Sequence, residues 1–299
     1  MRLAHILGGL MAALMFPGLL LAGESLPQRW VSSGGALSEW VVRLGGEARL
    51  VGADTTSRHP QSLTQLPSIG YQRQLAAEGI LALRPDLLLG TEEMGPPPVL
   101  EQLKAAGVRI EQLSARPELD TLQANLQRLG VLLGDEAAAQ SAFADYQERL
   151  QEQQRWVEQA QREQDAPAVL LLLGHAGGTP MAGGRETVAD WMIQHAGGRN
   201  LATHPGFRGL SNEALLALDP EVVIIADRAL EGEAAKRALL QQNPALAQTR
   251  AGRAGRLLVL DPTLLVGGLG PRMPDGLAML AAGFYPASPS LAVEVGRQL

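Results

Sequence analysis

The feature that most limits what this chain can fold into is a run without proline or glycine, from Glu136 to Gln164, reading EAAAQSAFADYQERLQEQQRWVEQAQREQ. Its residues are mostly strong helix formers, and Asp135 stands just before it as an N-cap. At about 1.5 Å per residue such a helix spans roughly 40 Å, the width of a whole lobe. Apolar positions at Ala138, Phe143, Tyr146, Leu150, Trp156 and Val157 fall on one stripe, and Gln, Glu and Arg occupy the other faces. A coiled-coil seam needs more apolar positions than this, so the run is expected to be a single rigid strut.

The chain before the strut resembles the chain after it. Strands are expected within Arg29–Gly35, a short strand leading into a glycine turn, and at Leu50–Gly52, Asp86–Gly90 and Val108–Ile110, with helices over Ala36–Leu44 and Glu78–Leu83 and another ending at Ala106. Beyond the strut the alternation restarts, with strands at Val169–Leu173, Glu221–Ile225 and Leu257–Asp261 and helices over Thr187–Ala196 and Asn212–Leu218. Glu78, Ala82, Leu83, Pro85 and Asp86 recur as Glu213, Ala217, Leu218, Pro220 and Glu221, each set followed by an aliphatic run. The fold class expected is therefore α/β: two similar lobes, each a mostly parallel sheet flanked by helices, joined by one long helix. The boundaries are residues 24–134 for the N-terminal lobe, 135–165 for the linking backbone helix and 166–299 for the C-terminal lobe.

With 299 residues, 46% of them hydrophobic, the chain can build two cores. Residues 1–23 read as a cleavable signal peptide: one charge at Arg2, an apolar run from Ile6 to Leu21, then the small residues Ala22-Gly23. Without it, 24 basic residues face 31 acidic ones, a net charge of −7, which argues against nucleic acid and anionic membrane surfaces. The chain has no cysteine, which excludes disulfides, thiolate metal sites, a Cys nucleophile and a lipid-attachable Cys. Export without a tether points to the periplasm. Of five histidines one lies in the signal, and none pair at helical ligand spacing, which disfavours a bare transition-metal site. The Gly-x-Ser-x-Gly, His-Glu-x-x-His and Gly-x-x-x-x-Gly-Lys patterns are lacking, so a periplasmic hydrolase is a distant alternative.

The loop Leu66-Pro-Ser-Ile-Gly-Tyr-Gln-Arg73 puts a tyrosine two residues before an arginine. A phenolate is a hard anionic ligand suited to ferric iron and an established axial ligand of haem. Its ordinary pKa near 10 means that ligation at neutral pH needs the metal and nearby positive charge. On the residues alone, Tyr71 is either such a ligand or an ordinary half-buried loop tyrosine.

The strut with twin lobes resembles the substrate-binding proteins of ABC importers for metal chelates (vitamin B12, siderophores, haem), class III among periplasmic binding proteins. Within that group, Ile69 to Leu81 resembles the segment carrying the iron ligand in periplasmic haem-binding proteins of the HmuT type. The run Gly267-Gly-Leu-Gly-Pro-Arg-Met-Pro274 is similar to that family's glycine-rich loop. The resemblance implies a protein that captures haem b (hemin) between the lobes and delivers it to an inner-membrane ABC permease with its ATPase, downstream of an outer-membrane haem receptor. A corrinoid or a ferric siderophore is the alternative cargo.

The same resemblance implies roles for particular residues. Tyr71 is the iron ligand, and Arg73, Arg228 and Arg272 are partners for propionates or the phenolate, with surface salt bridges the alternative for Arg228 and Arg272. His175 is either a second ligand, a holder of a second stacked haem, or a loop histidine bonded to backbone. Glu78 and Glu213, near the starts of equivalent helices, are the docking carboxylates for permease arginines; helix N-termini favour negative charge in any case. Four more expectations come from position. His59 and His204 either face each other across the cleft or are solvent and rim residues, and His195, late in its helix, is a favourable C-terminal charge or a cap. Met181, Met273, Phe207 and Trp191 either pack on the porphyrin or belong to the core.

Overall fold

The computed structural model describes residues 26–174, 179–227, 230 and 232–288. The expected signal peptide lies outside them. Among the described residues no helix is long and apolar enough to cross a membrane.

The first lobe runs β1 (Trp30–Ser32), α1 (Gly35–Arg43), β2 (Leu50–Ala53), α2 (Ala77–Ala82), β3 (Leu87–Thr91), α3 (Pro97–Ala105) and β4 (Arg109–Leu113). Its four strands are all parallel, in the order β2-β1-β3-β4. Successive side chains of a strand point to opposite faces, so each strand feeds two cores. In β3, Leu87 and Leu89 enter one cluster with Trp40 and Leu126, while Leu88 enters another with Ile80, Leu100 and Leu103.

Two helices follow, α4 (Leu119–Leu133) and α5 (Glu136–Ala160). They form an antiparallel hairpin, turned by Gly134 in the left-handed region and by Asp135, whose carboxylate accepts from Ala138 N at 2.9 Å as the N-cap. Gly130 allows the close approach, since a Cβ there would sit 2.9 Å from that of Ala139. The strut buries Ala139, Phe143, Tyr146, Leu150, Gln153, Val157 and Ala160, spaced alternately by four and three, with Ala142 buried beside Phe143. That is heptad spacing, filled in part by alanine and one buried amide. Ala138 and Trp156, expected on the stripe, are shoulder residues, and the Trp156 ring meets Tyr285 edge-on. At the end of the helix the side-chain amide of Gln161 donates to Gly197 O and the Tyr285 hydroxyl, at 3.1 and 2.9 Å, which ties the last turn to the second lobe.

The second lobe comprises β5 (Ala168–Gly174), β6 (Met181–Gly183), α6 (Val188–His195), β7 (Arg199–Asn200), β8 (Phe207–Gly209), α7 (Asn212–Leu218), β9 (Val222–Asp227), α8 (Gly232–Gln242), α9 (Arg250–Arg253), β10 (Leu257–Val259) and α10 (Met273–Phe284). The parallel set β10-β9-β5-β7 mirrors β4-β3-β1-β2. Antiparallel β6 and β8 are added on the upper half of the β5 edge. One apolar cluster continues from the first lobe through α5 into α6, α10 and the inner faces of β5 and β9.

The repeat extends to backbone angles. Arg84 and Asp219, equivalent residues before Pro85 and Pro220, both have positive φ, at 48° and 41°. Asp86 accepts from the backbone N–H groups of Gln28 and Arg29 at 2.7 and 3.0 Å, and Glu221 accepts from Ala168 N at 2.7 Å. In each lobe the same carboxylate thus seats the first strand beside the central one.

Candidate functional site

The loop after β2 is built around Asp54, a buried carboxylate. It accepts from Gly34 N at 3.0 Å, from the Thr56 amide and hydroxyl at 3.2 and 2.7 Å, and from the Ser57 hydroxyl at 2.7 Å. These bonds fold residues 55–58 back over the β1–α1 turn, where Gly35 N donates to Thr56 Oγ1. Thr55 N then donates to Gly70 O at 2.9 Å, which brings the Tyr71 segment alongside. Gly70 has φ 84°, a left-handed turn that glycine adopts without strain. On its far side the segment is stapled to the β3–α3 loop, Gly95 N to Gln72 O at 2.9 Å and Leu75 N to Gly95 O at 2.8 Å. Tyr71 is half-buried between these staples.

The second lobe supplies a facing wall from residues 262–266. Asp261 begins it, accepting from the amide and hydroxyl of Thr263 at 2.9 and 2.7 Å. Between the walls lies a cavity of about 350 Å³, lined by Thr55, Thr56, Arg58 and Tyr71 on one side and by Pro262, Thr263 and Val266 on the other. It combines one phenol, one guanidinium, threonine hydroxyls and a small apolar surface, a set suited to a flat, mostly apolar anion carrying a hard metal. Among the described residues no group of three or more His, Cys, Asp or Glu side chains converges as a site for a bare ion. A larger hollow of about 450 Å³ runs along α5, lined largely by glutamine amides with His195 at its edge. It has no phenol and no carboxylate cluster, so the ligand chemistry favours the smaller cavity.

The expected site residues separate on this frame. Tyr71 lines the cleft; Arg73 does not, and pairs instead with Glu93 at 2.6 Å, with a little over half of its side chain exposed. Glu93 also accepts from Gln72 Nε2 at 3.3 Å, so one carboxylate holds both residues that follow the tyrosine. His175 and Arg228 lie outside the described residues. Arg272 is not available to a propionate, because its guanidinium is committed to Glu39, Asp261 and Thr263. Glu78 and Glu213 are exposed in the first turns of α2 and α7. At Glu213 hydrogen bonds from its own backbone N–H and from Ser211 hold the carboxyl below its ordinary range.

His59 bonds Asp261 at 2.9 Å, and the His204 ring covers Gly184. His195 stacks on Trp191 at 3.9 Å while its Nδ1 meets Trp191 O. Burial pushes its pKa down, which works against a helix-end charge, while the bond to Trp191 O fits the other expectation, a cap. Met273 is wholly buried in the core, and Trp191 and Phe207 pack against that core from its edge. Met181 sits in β6, partly buried. Arg58 is the residue that sequence reasoning missed; its one signal is a basic side chain on a loop leaving the carboxyl end of a parallel strand.

Comparison with known proteins fits this geometry. A periplasmic heme binding protein from Pseudomonas aeruginosa is 65% identical, with a TM-score of 0.88 over 89% of this chain and 96% of that one. The heme-binding protein BhuT, solved in complex with two hemes, is 36% identical, with a TM-score of 0.77 over 87% and 98% of the two chains. The vitamin B12-binding protein of Pectobacterium atrosepticum is 28% identical over 214 residues, 70% of this chain and 75% of that one. These relatives are described as binding proteins, not enzymes, and the hydrolase reading falls away with them. With residues 31–264 matching its model, the chain belongs to the periplasmic binding protein family.

Proposed function

We propose that this protein captures haem in the cleft between its lobes and hands it to an ABC permease. The observation that carries the reading is the position of Tyr71 on one wall of a cavity whose other wall comes from the opposite lobe. A phenolate there meets iron in the plane between the lobes, and Arg58 beside it offers a guanidinium to a propionate. Arg73 joins when it exchanges Glu93 for cargo, a small penalty because exposed ion pairs are worth about 0–1 kcal/mol. Arg228 and His175 complete the set as a second propionate partner and a second ligand.

Similarity to proteins described as heme-binding supports this reading, and the vitamin B12-binding relative keeps a corrinoid as the second. Residues 1–23 act as the export signal to the periplasm. Glu78 and Glu213 meet arginines of the permease, which its ATPase drives, and an outer-membrane haem receptor supplies the cargo. Hemin titrated into purified protein should give an intense Soret band saturating at one or two equivalents. Tyr71→Phe should weaken binding by roughly a hundredfold, equivalent to about 2.8 kcal/mol. Saturation with cobalamin and no band with hemin would overturn the assignment.

A further inference from the structure

The lobes are joined by α5, and they are joined a second time at the floor of the cleft. The second joint begins with a close backbone approach. Gly267 and Gly268 both have φ near 88°, at 87° and 88°, and a Cβ on Gly268 would lie 3.3 Å from the backbone of Ala115 in the first lobe. A Cβ on Gly270 would lie 3.2 Å from that of Ala36. Across the same seam Trp40 Nε1 donates to Leu269 O at 2.8 Å and Ala36 N to Val266 O at 3.3 Å.

An ionic group closes the seam. Glu39 of α1 is 5% exposed, and Arg272 meets it fork to fork, Nε to Oε2 at 3.0 Å and Nη2 to Oε1 at 2.7 Å. Arg272 Nη1 donates to Asp261 Oδ2 at 2.9 Å, and Nη2 also donates to the Thr263 hydroxyl at 2.7 Å. His59 of the first lobe reaches the same Asp261 oxygen at 2.9 Å. Burial pushes the Glu39 carboxyl up, and the bonds from Arg272 only partly offset this. Burial also acts on Asp261, but the bonds from His59 and Thr263 and the charge of Arg272 outweigh it and hold that carboxyl well below the carboxylate range.

A buried ion pair adds little net stability compared with apolar residues of the same shape, but a bidentate one fixes distance and orientation together. The object fixed here is the cleft wall, because Thr263 both lines the cavity and bonds Arg272. We propose that Glu39, Asp261, His59 and Arg272 are positioning residues that set the separation of the lobes, so that cargo meets a wall already in place. The consequence for cargo retention rests on the haem reading; the consequence for lobe separation does not.

The chain has no cysteine of its own, so spin labels can be placed cleanly in the full-length protein. With labels at Gln102→Cys and Gln241→Cys, exposed positions on α3 and α8, the cargo-free parent should give one narrow inter-lobe distance. Arg272→Met should broaden or shift that distance and speed hemin transfer to apomyoglobin on the order of tenfold. If Arg272→Met does not fold, the double variant Glu39→Gln/Arg272→Met removes the two fork-to-fork charges together, leaves Asp261 bonded to His59 and Thr263, and is read the same way. An unchanged distance in the folded variant overturns the proposal and leaves the group as a stabilising contact only. A changed distance with unchanged hemin release overturns its link to cargo. Failure of the parent to take up hemin would strike the haem reading alone, since the distance measurement needs no cargo.

Discussion

The two lobes share a frame and differ in what they hang on it. In both, a short helix with a glutamate in its first turn ends in a left-handed residue, then a proline, then a carboxylate that seats the first strand. Between second strand and helix, however, the first lobe inserts the loop that carries Arg58 and Tyr71, stapled by Asp54. The second lobe instead adds β6 and β8 along β5. Symmetry is kept around Glu78 and Glu213, and it is given up where the wall of the cleft is built.

That contrast can be broken in four places. Glu78→Lys/Glu213→Lys attacks the symmetric part: haem-dependent growth in cells relying on this protein should fall by more than about tenfold, with hemin binding unchanged. Each single variant should give a partial loss of similar size, and a loss confined to one lobe would argue against equivalent docking. The seating carboxylates come next. Asp86→Ala strips two backbone N–H groups of their acceptor and should lower stability by about 1–2 kcal/mol in urea titration. Glu221→Ala strips one, at 2.7 Å, together with an ion pair to Arg250, and should fall at the lower end of that range.

A smaller effect separates Arg84 from Asp219. Glycine relieves left-handed strain of about 1–2 kcal/mol but loses chain entropy on folding. Arg84→Gly should therefore stabilise by under about 1 kcal/mol. Asp219→Gly should not, because its carboxylate accepts from Arg250 N at 2.8 Å and pairs with the same guanidinium. The smallest effect is that of His195. Burial lowers its folded pKa, so the unfolded chain takes the proton more readily, and stability is lost as pH falls through the ordinary histidine value near 6.5. His195→Gln should flatten the dependence of melting temperature on pH between about 7 and 5.

Much of the frame was legible because it follows local rules: proline turns, aliphatic runs and one capped helix. The helix α4 escaped although Leu122, Leu126, Leu129 and Leu133 have the same alternating spacing as the strut. Gly130 reads as a break in sequence, and its reason, contact with Ala139, exists only in three dimensions. Gln153 took a stripe position expected for apolar residues because its amide reaches Leu277 O on α10. Three-residue strands such as β6 and β8 carry no readable period. Within the site, Tyr71 stood out through its flanking residues. Arg272 looked like a cargo contact because a glycine-rich loop announces an exposed turn, and nothing local reveals a partner at Glu39.

The apolar cluster that passes from the first sheet through α5 to α10 has a consequence for how the molecule comes apart. A chain divided at its waist would bare a wide greasy face on each piece, so neither piece is a self-sufficient folding unit. Despite its bilobed outline, the protein should melt in one cooperative transition, with calorimetric and van't Hoff enthalpies in agreement.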